Sequence, residues 1–223
     1  MTRTVIFDLD GTLVDSRPDI RAALDRLMAA RGHPPFTLEE VTRFIGDGVP
    51  VLIQRAFAAR GLPADPTALP AFLADYEKHA AVETRPFAGI PEVLDQLQAA
   101  GWRMAVCTNK PERAARLLLE ALGLAHRFAA LGGGDSFPVR KPDPAHVLAT
   151  LTAAGGSEGR AVMVGDHHND VAAGAAAGLP AIFCGWGYGL PEMAGDAPVA
   201  SRPAELPPLL ASTLAGAPST SSK

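Results

Sequence analysis

Two aspartates two residues apart, Asp8 and Asp10, close the apolar run Val5, Ile6, Phe7 in the stretch DLDGT. On an extended strand, side chains two apart share a face, so both carboxylates address whatever lies beyond the strand's carboxyl end, and Gly11 and Thr12 then turn the chain. An Asp-rich turn accounts for one aspartate beside Gly11 but gives no structural reason for Asp8 at the close of a buried run. Polar residues recur after other apolar runs: Thr108 and Asn109 after RMAVC, Lys141 in RKPDP, and Asp166 with Asp170 in GDHHND. Each alone has an ordinary explanation, since threonine, asparagine and aspartate begin helices and lysine usually faces water. Their recurrence at one edge of one sheet points to a site. Carboxylates gathered there call for a cation, and hard oxygen ligands favour Mg²⁺, which keeps several waters and joins one or two carboxylates to a substrate phosphate. Lys141 would offset the remaining charge of a phosphate dianion.

The elements that must hold these residues alternate. Continuous apolar runs at 5–7, 103–108, 129–131, 161–165 and 180–184 read as strands buried on both faces. Helical patterns at 91–101, 111–123 and 143–155 lie between them; Asp143 caps the last, Pro144 suits its first position, and Gly101, Gly123 and Gly155 supply left-handed ends. Strand and helix in repetition predict an α/β fold, a doubly wound parallel sheet with a Rossmann-like core whose ligands bind outside the carboxyl ends of the strands. Residues 16–84 break that rhythm with helices only, at 19–32, 37–46, 49–61 and 66–82, the second opened by a Thr37 and Glu40 capping box. The expected organisation is a catalytic core of 1–15 and 85–216, an inserted all-helical cap of 16–84, and a disordered tail of 217–223. Hinges at 14–18 and 83–89 would let the insert rock over the sheet's edge.

With 223 residues, 48% of them hydrophobic, the chain fills a real core, and a net charge of -4 with scattered Lys and Arg excludes the footprint of a nucleic-acid or membrane-surface binder. No signal-like start and no apolar run of about 18 residues is present, so the expected location is the cytoplasm, as monomer or homodimer. Cys107 and Cys184 each sit inside an apolar run and read as buried thiols of a reducing compartment.

DLDGT, TNK at 108–110, the lysine of RKPDP, and GDHHND together resemble the four motifs of the haloacid dehalogenase superfamily of phosphohydrolases, across essentially the whole chain. The helical block corresponds to that superfamily's small cap, and FIGDGVPVLIQRA, RPFAGIPEVLDQL and GGDSFPVRKPDP look most like its bacterial phosphoglycolate phosphatases. The resemblance implies Mg²⁺-dependent hydrolysis of a phosphate monoester, with Asp8 the nucleophile that becomes an aspartyl phosphate and Asp10 the general acid and base. It implies a metal held by the side chain of Asp8, the backbone carbonyl of Asp10 and the side chain of Asp166. Thr108, Asn109 and Lys141 would meet the transferring phosphoryl group, and Asp170 would orient Lys141 or a metal-bound water from behind. A leaving group needs a proton and attacking water must lose one, so a carboxyl free of the metal serves both steps.

The implied substrate is 2-phosphoglycolate, whose carboxylate a closing cap would meet through Arg43 and the loop Gly46, Asp47, Gly48, at the amino end of the next helix. A solvated Arg43 is the alternative. His167 stands where relatives often carry serine, and with His168 it invites a metal reading. Neighbouring side chains diverge, however, and three carboxylates are already present, so a solvated pair is favoured. GWGYG at 185–189 is either a flexible loop near the site or a turn in which Trp186 packs. Competing readings are a phosphatase of another small ester, a phosphosugar mutase sharing these residues, and a phosphoacceptor signalling module. The last has no helical insert and carries its acidic residues on different strands. A dehalogenase is disfavoured, since it needs neither Mg²⁺ nor the second aspartate of DLDGT.

Overall fold

The computed structural model describes residues 2–79 and 81–216; the tail expected to be disordered lies outside the described residues. The chain runs β1 (Thr4–Phe7), β2 (Val14–Asp15), α1 (Arg17–Ala29), α2 (Leu38–Phe44), α3 (Val49–Ala59), α4 (Ala68–His79), β3 (Arg85–Pro86), α5 (Ile90–Ala99), β4 (Arg103–Cys107), α6 (Glu112–Ala121) and β5 (Ala130–Gly132). It continues through α7 (Pro144–Ala153), β6 (Ala161–Gly165), α8 (His168–Ala176), β7 (Ala181–Cys184), β8 (Val199–Ala200) and α9 (Leu206–Gly216).

All five expected strands form, in one parallel sheet ordered β5-β4-β1-β6-β7-β8. Every residue of β1 is buried, and burying one side chain of the Val, Ile or Phe kind is worth about 1.5–3 kcal/mol, so a slip of register would cost several such side chains at once. From β1 the chain builds outward to β4 and β5, then crosses back to place β6 on the other side of β1. That reversal opens a crevice between the carboxyl ends of β1 and β6. Gly101, Gly123 and Gly155 follow α5, α6 and α7 at φ +74, +68 and +67, as their left-handed caps require.

Strand β8 and helix α9 were not expected. A two-residue strand leaves no period to read, and Leu206-Pro207-Pro208 looks like a breaker although proline is tolerated in a first turn. Leu206 and Leu210 are nevertheless fully buried in the main core.

Helices α1 to α4 gather their own apolar cluster, including Ile20, Leu24, Met28, Phe57 and Phe72, which also takes in Ala114 of α6. The capping box forms: Glu40 N donates to Thr37 Oγ1 at 3.1 Å and Thr37 N to Glu40 Oε2 at 2.7 Å. The two linkers are not independent hinges. Val14 and Asp15 pair antiparallel with Pro86 and Arg85, and buried Asp19 accepts from the backbone of Glu83 and Thr84, so both crossings are tied into one ribbon.

Candidate active site

Phe7 lies opposite Val106 on one side and Val164 on the other, and extending that register by two residues sets Asp166 level with Leu9, between Asp8 and Asp10. The turn that follows needs Gly11 twice. Its φ is +89, and any side chain there would collide with the Asp166 carboxylate. Asp8, Asp166 and Asp170 each bring a carboxylate oxygen within 4.8 Å of the others, at 9%, 2% and 1% exposure. Burial, joined by the charge of Asp170, pushes the Asp8 carboxyl up to about 6. Burial with the charges of Asp8 and Asp170 pushes Asp166 up to about 8.

Lys141 answers part of this charge. Its Nζ lies 2.6 Å from Asp170 Oδ1 and 2.9 Å from Asp8 Oδ1, and donates to the Cys107 carbonyl at 2.6 Å. Burial alone would lower this ammonium, but Asp170 and Asp8 reverse that and raise it, so it stays charged. The backbone N of Lys141 donates to His146 Nδ1 at 3.2 Å; His146 is fully buried, and burial together with Lys141 holds its ring down to about 4. No motif marks this histidine, which reads in sequence as one more residue of a helix.

The donor set fits a hard divalent cation. Three carboxylates face one ammonium, and buried Asp8 Oδ1, although within ion-pair reach of Lys141, accepts no aligned hydrogen bond. Asp166 is oriented from both sides: Thr12 Oγ1 donates to its Oδ1 at 2.7 Å and Tyr188 N to its Oδ2 at 2.8 Å. This settles GWGYG as a scaffold. Trp186 Nε1 donates to the Thr12 carbonyl at 3.1 Å, the Tyr188 hydroxyl accepts from Ser16 N at 2.8 Å, and side chains at Gly187 or Gly189 would strike Asp166.

The Asp10 carboxyl lies outside the acidic cluster. Ser16 Oγ donates to its Oδ1 at 2.5 Å, and Lys110 Nζ lies 3.1 Å from both its oxygens. Lys110, its side chain 4% exposed, is the residue sequence reading missed; it completes the TNK triplet and could have been found by asking what neutralises Asp10.

Thr108 is buried beside this pair, its N donating to the Gly132 carbonyl at 2.8 Å. The side-chain nitrogen of Asn109, a residue expected to meet a phosphoryl group, donates in this structure to the carbonyls of Gly46 at 3.0 Å and Lys141 at 2.9 Å, and its Oδ1 is buried without a partner. Asn169 joins this latch, its Nδ2 donating to Gly46 O at 3.3 Å and Asp47 Oδ1 at 2.8 Å. Gly46, at φ +122, lies against the His167 ring with no room for a side chain.

The histidines do not diverge. Their ring centroids are 4.2 Å apart, because His167 turns back to cap α8, its Nδ1 accepting from Asn169 N at 3.3 Å. Burial and His168 hold the His167 ring down to about 4, so it is a neutral cap and platform; only His168 matches the solvated expectation.

A cavity of about 40 Å³ between the helical block and the sheet edge is lined by Asp10, Gly46, Gly48, Leu52, Tyr76 and Lys110, among others. Arg43 is not brought to it. Val41 and Phe44 take the buried face of α2, which leaves the Arg43 side chain 66% exposed, 3.3 Å from Glu39, on an outer groove of about 760 Å³. Cys107 and Cys184 are free and buried, and burial pushes the Cys107 thiol up to about 11. Among the described residues no helix is long and apolar enough to cross a membrane.

Residues 2–178 match the family model of haloacid dehalogenase-like hydrolases. A phosphoglycolate phosphatase of Cereibacter sphaeroides is 49% identical over 179 residues, covering 78% of this chain and 81% of its own. One of Agrobacterium fabrum is 47% identical over 187 residues, covering 82% and 80%. The crystal structure of a predicted phosphoglycolate phosphatase from Haemophilus somnus superposes with a TM-score of 0.80 at 29% identity, over 89% of this chain and 93% of that one.

Proposed function

This chain belongs to the haloacid dehalogenase-like hydrolases, and from that premise we propose that it hydrolyses 2-phosphoglycolate to glycolate and phosphate. The carrying observation is that two aspartates from one strand end are wired separately. Asp8 sits with Lys141 and the acidic cluster, while Asp10 sits with Lys110 and Ser16. Asp8 attacks phosphorus and its carboxylate oxygen takes the phosphoryl group, while Asp10 gives a proton to the departing ester oxygen. Asp10 then takes a proton from the water that attacks the aspartyl phosphate, which restores both residues. Lys141 holds a positive charge beside the Asp8 oxygen throughout, and Thr108 lies at the neighbouring strand end to receive a phosphoryl oxygen.

The side chains of Asp8 and Asp166 and the backbone carbonyl of Asp10, with Asp170 behind them, would hold Mg²⁺, which would supply neutralising charge for the phosphoryl oxygens. Helices α1 to α4 act as the cap, latched through Gly46. The relatives named phosphoglycolate phosphatase support the substrate, and two buried free thiols fit a reducing cytoplasm.

Phosphate release from a panel of monoesters, with Mg²⁺ and with excess chelator, tests this reading. The expected result is metal-dependent turnover led by 2-phosphoglycolate. Undiminished activity in chelator, or a panel led by a hexose phosphate, overturns it.

A further inference from the structure

Tyr76 is 2% exposed, lines the cavity beside Asp10, and its hydroxyl makes no aligned hydrogen bond, although the Lys110 ammonium stands near it. A buried phenol ordinarily makes one, so a hydroxyl without an aligned partner on a cavity wall can serve a ligand. Lys110 faces the same space: its Nζ lies 4.4 Å from the Tyr76 ring centroid while also serving both oxygens of Asp10. An ammonium has three protons, enough to keep Asp10 and take a further acceptor. The third feature is the amino end of α3, an 11-residue helix. Its N-cap Gly48 borders the cavity, no side chain caps it, and its first turn holds no acidic residue. Such an end favours a negative group. The rest of the wall, including Ile20, Leu52 and Phe72, is apolar, so a buried anion depends on these charged and polar partners, whose attraction the low dielectric strengthens.

We infer that Lys110, the hydroxyl of Tyr76 and the first turn of α3 form the subsite that receives the carboxylate of the substrate, a deepening that rests on the phosphoglycolate reading above. The chemistry fixes the spacing. In 2-phosphoglycolate one methylene separates the ester oxygen, which must meet Asp10, from the carboxylate carbon. A cation already touching Asp10 is therefore within one side-chain group of the carboxylate. This places specificity on Lys110 and Tyr76 and takes it from Arg43.

The test is kcat/KM for 2-phosphoglycolate and for ethyl phosphate, which has the same two carbons without the carboxylate, in the wild type and in Tyr76→Phe. The variant keeps the ring and its contact with Lys110 and removes only the hydroxyl oxygen. The expected result is a fall in the ratio of the two kcat/KM values by about tenfold or more, the worth of one hydrogen bond to a charged group, carried mainly by KM. A structural role would lower the melting temperature, whereas here it should hold, since no aligned folded-state hydrogen bond is lost. A wild type with no preference for phosphoglycolate removes the substrate reading and the subsite together. A wild type that prefers it and a Tyr76→Phe ratio that does not change remove the subsite alone. Should the variant melt early, competition by glycolate against ethyl phosphate decides: weakened competition supports the subsite, and equal competition in both proteins overturns it.

Discussion

At the sheet edge the charges are buried and shared: Lys141 touches Asp8, Asp170 and a carbonyl, and Lys110 holds both oxygens of Asp10. In the helical block, buried Asp19 apart, many charges stand in pairs toward solvent, as in Arg43 with Glu39 or Arg26 with Asp75. Exposed pairs are screened and worth about 0–1 kcal/mol, whereas removing one member of a buried pair strands the other at a cost of about 3–5 kcal/mol. The difference teaches where a single substitution is felt. Edge residues answer to several partners at once, and the block contributes through its backbone, latched at Gly46, and through its apolar wall.

The largest effect should come from Asp8→Asn, which keeps shape and removes the nucleophile. Steady-state phosphate release should vanish. Without metal the melting temperature should hold or rise, because Lys141 keeps Asp170 as its partner and one of three mutually repelling carboxylates is gone. Appreciable turnover would reassign the nucleophile. Asp10→Asn should slow kcat by roughly 10²-fold or more through lost proton transfer. The loss should be smaller for p-nitrophenyl phosphate in the first step, since its leaving group needs little help; equal and small losses on all esters would take Asp10 out of the chemistry.

His146 tests how tightly the edge is held. Folding favours its neutral ring, lowered from 6.5 to about 4, so its contribution is complete above pH 6.5 and drains away as pH falls toward 4. The full contribution is on the order of 3 kcal/mol. Denaturation of the wild type and His146→Asn at a series of pH values, both with Mg²⁺, should show the difference between them shrinking through that window. A constant difference would contradict the assignment.

Asn169→Ala removes two of the bonds that hold the Gly46 loop while leaving the one from Asn109. About tenfold in kcat/KM should be lost, with faster hydrogen exchange at residues 46–49. Unchanged exchange would mean that the latch carries no load. Arg43→Ala is the smallest: kcat/KM for 2-phosphoglycolate should change by less than about twofold, since an exposed pair is all that is lost. A tenfold loss restricted to carboxylate-bearing substrates would return Arg43 to the site and break the contrast between the two regions.

Much of this molecule is legible in its sequence. Five strands announced themselves as unbroken apolar runs because a parallel strand covered on both faces tolerates little else. Asp8 and Asp166 followed, since a strand's end fixes where the next residue stands whatever the rest of the fold does. What only tertiary structure decided were meetings between residues distant in sequence. Tyr76 and Lys110 share a cavity because α4 packs against α6, the helix that Lys110 leads into, and Val14–Asp15 pairs with Arg85–Pro86 because both linkers leave the sheet together. The fate of Asn109, Arg43 and the two histidines belongs here too. A side chain past the last regular residue takes whichever partner the neighbouring loops present, and a helix position faces cavity or solvent according to a rotation set by its buried stripe, Val41 and Phe44 in α2. Periodicity along a chain states which face is apolar; it does not state what that face will be pressed against.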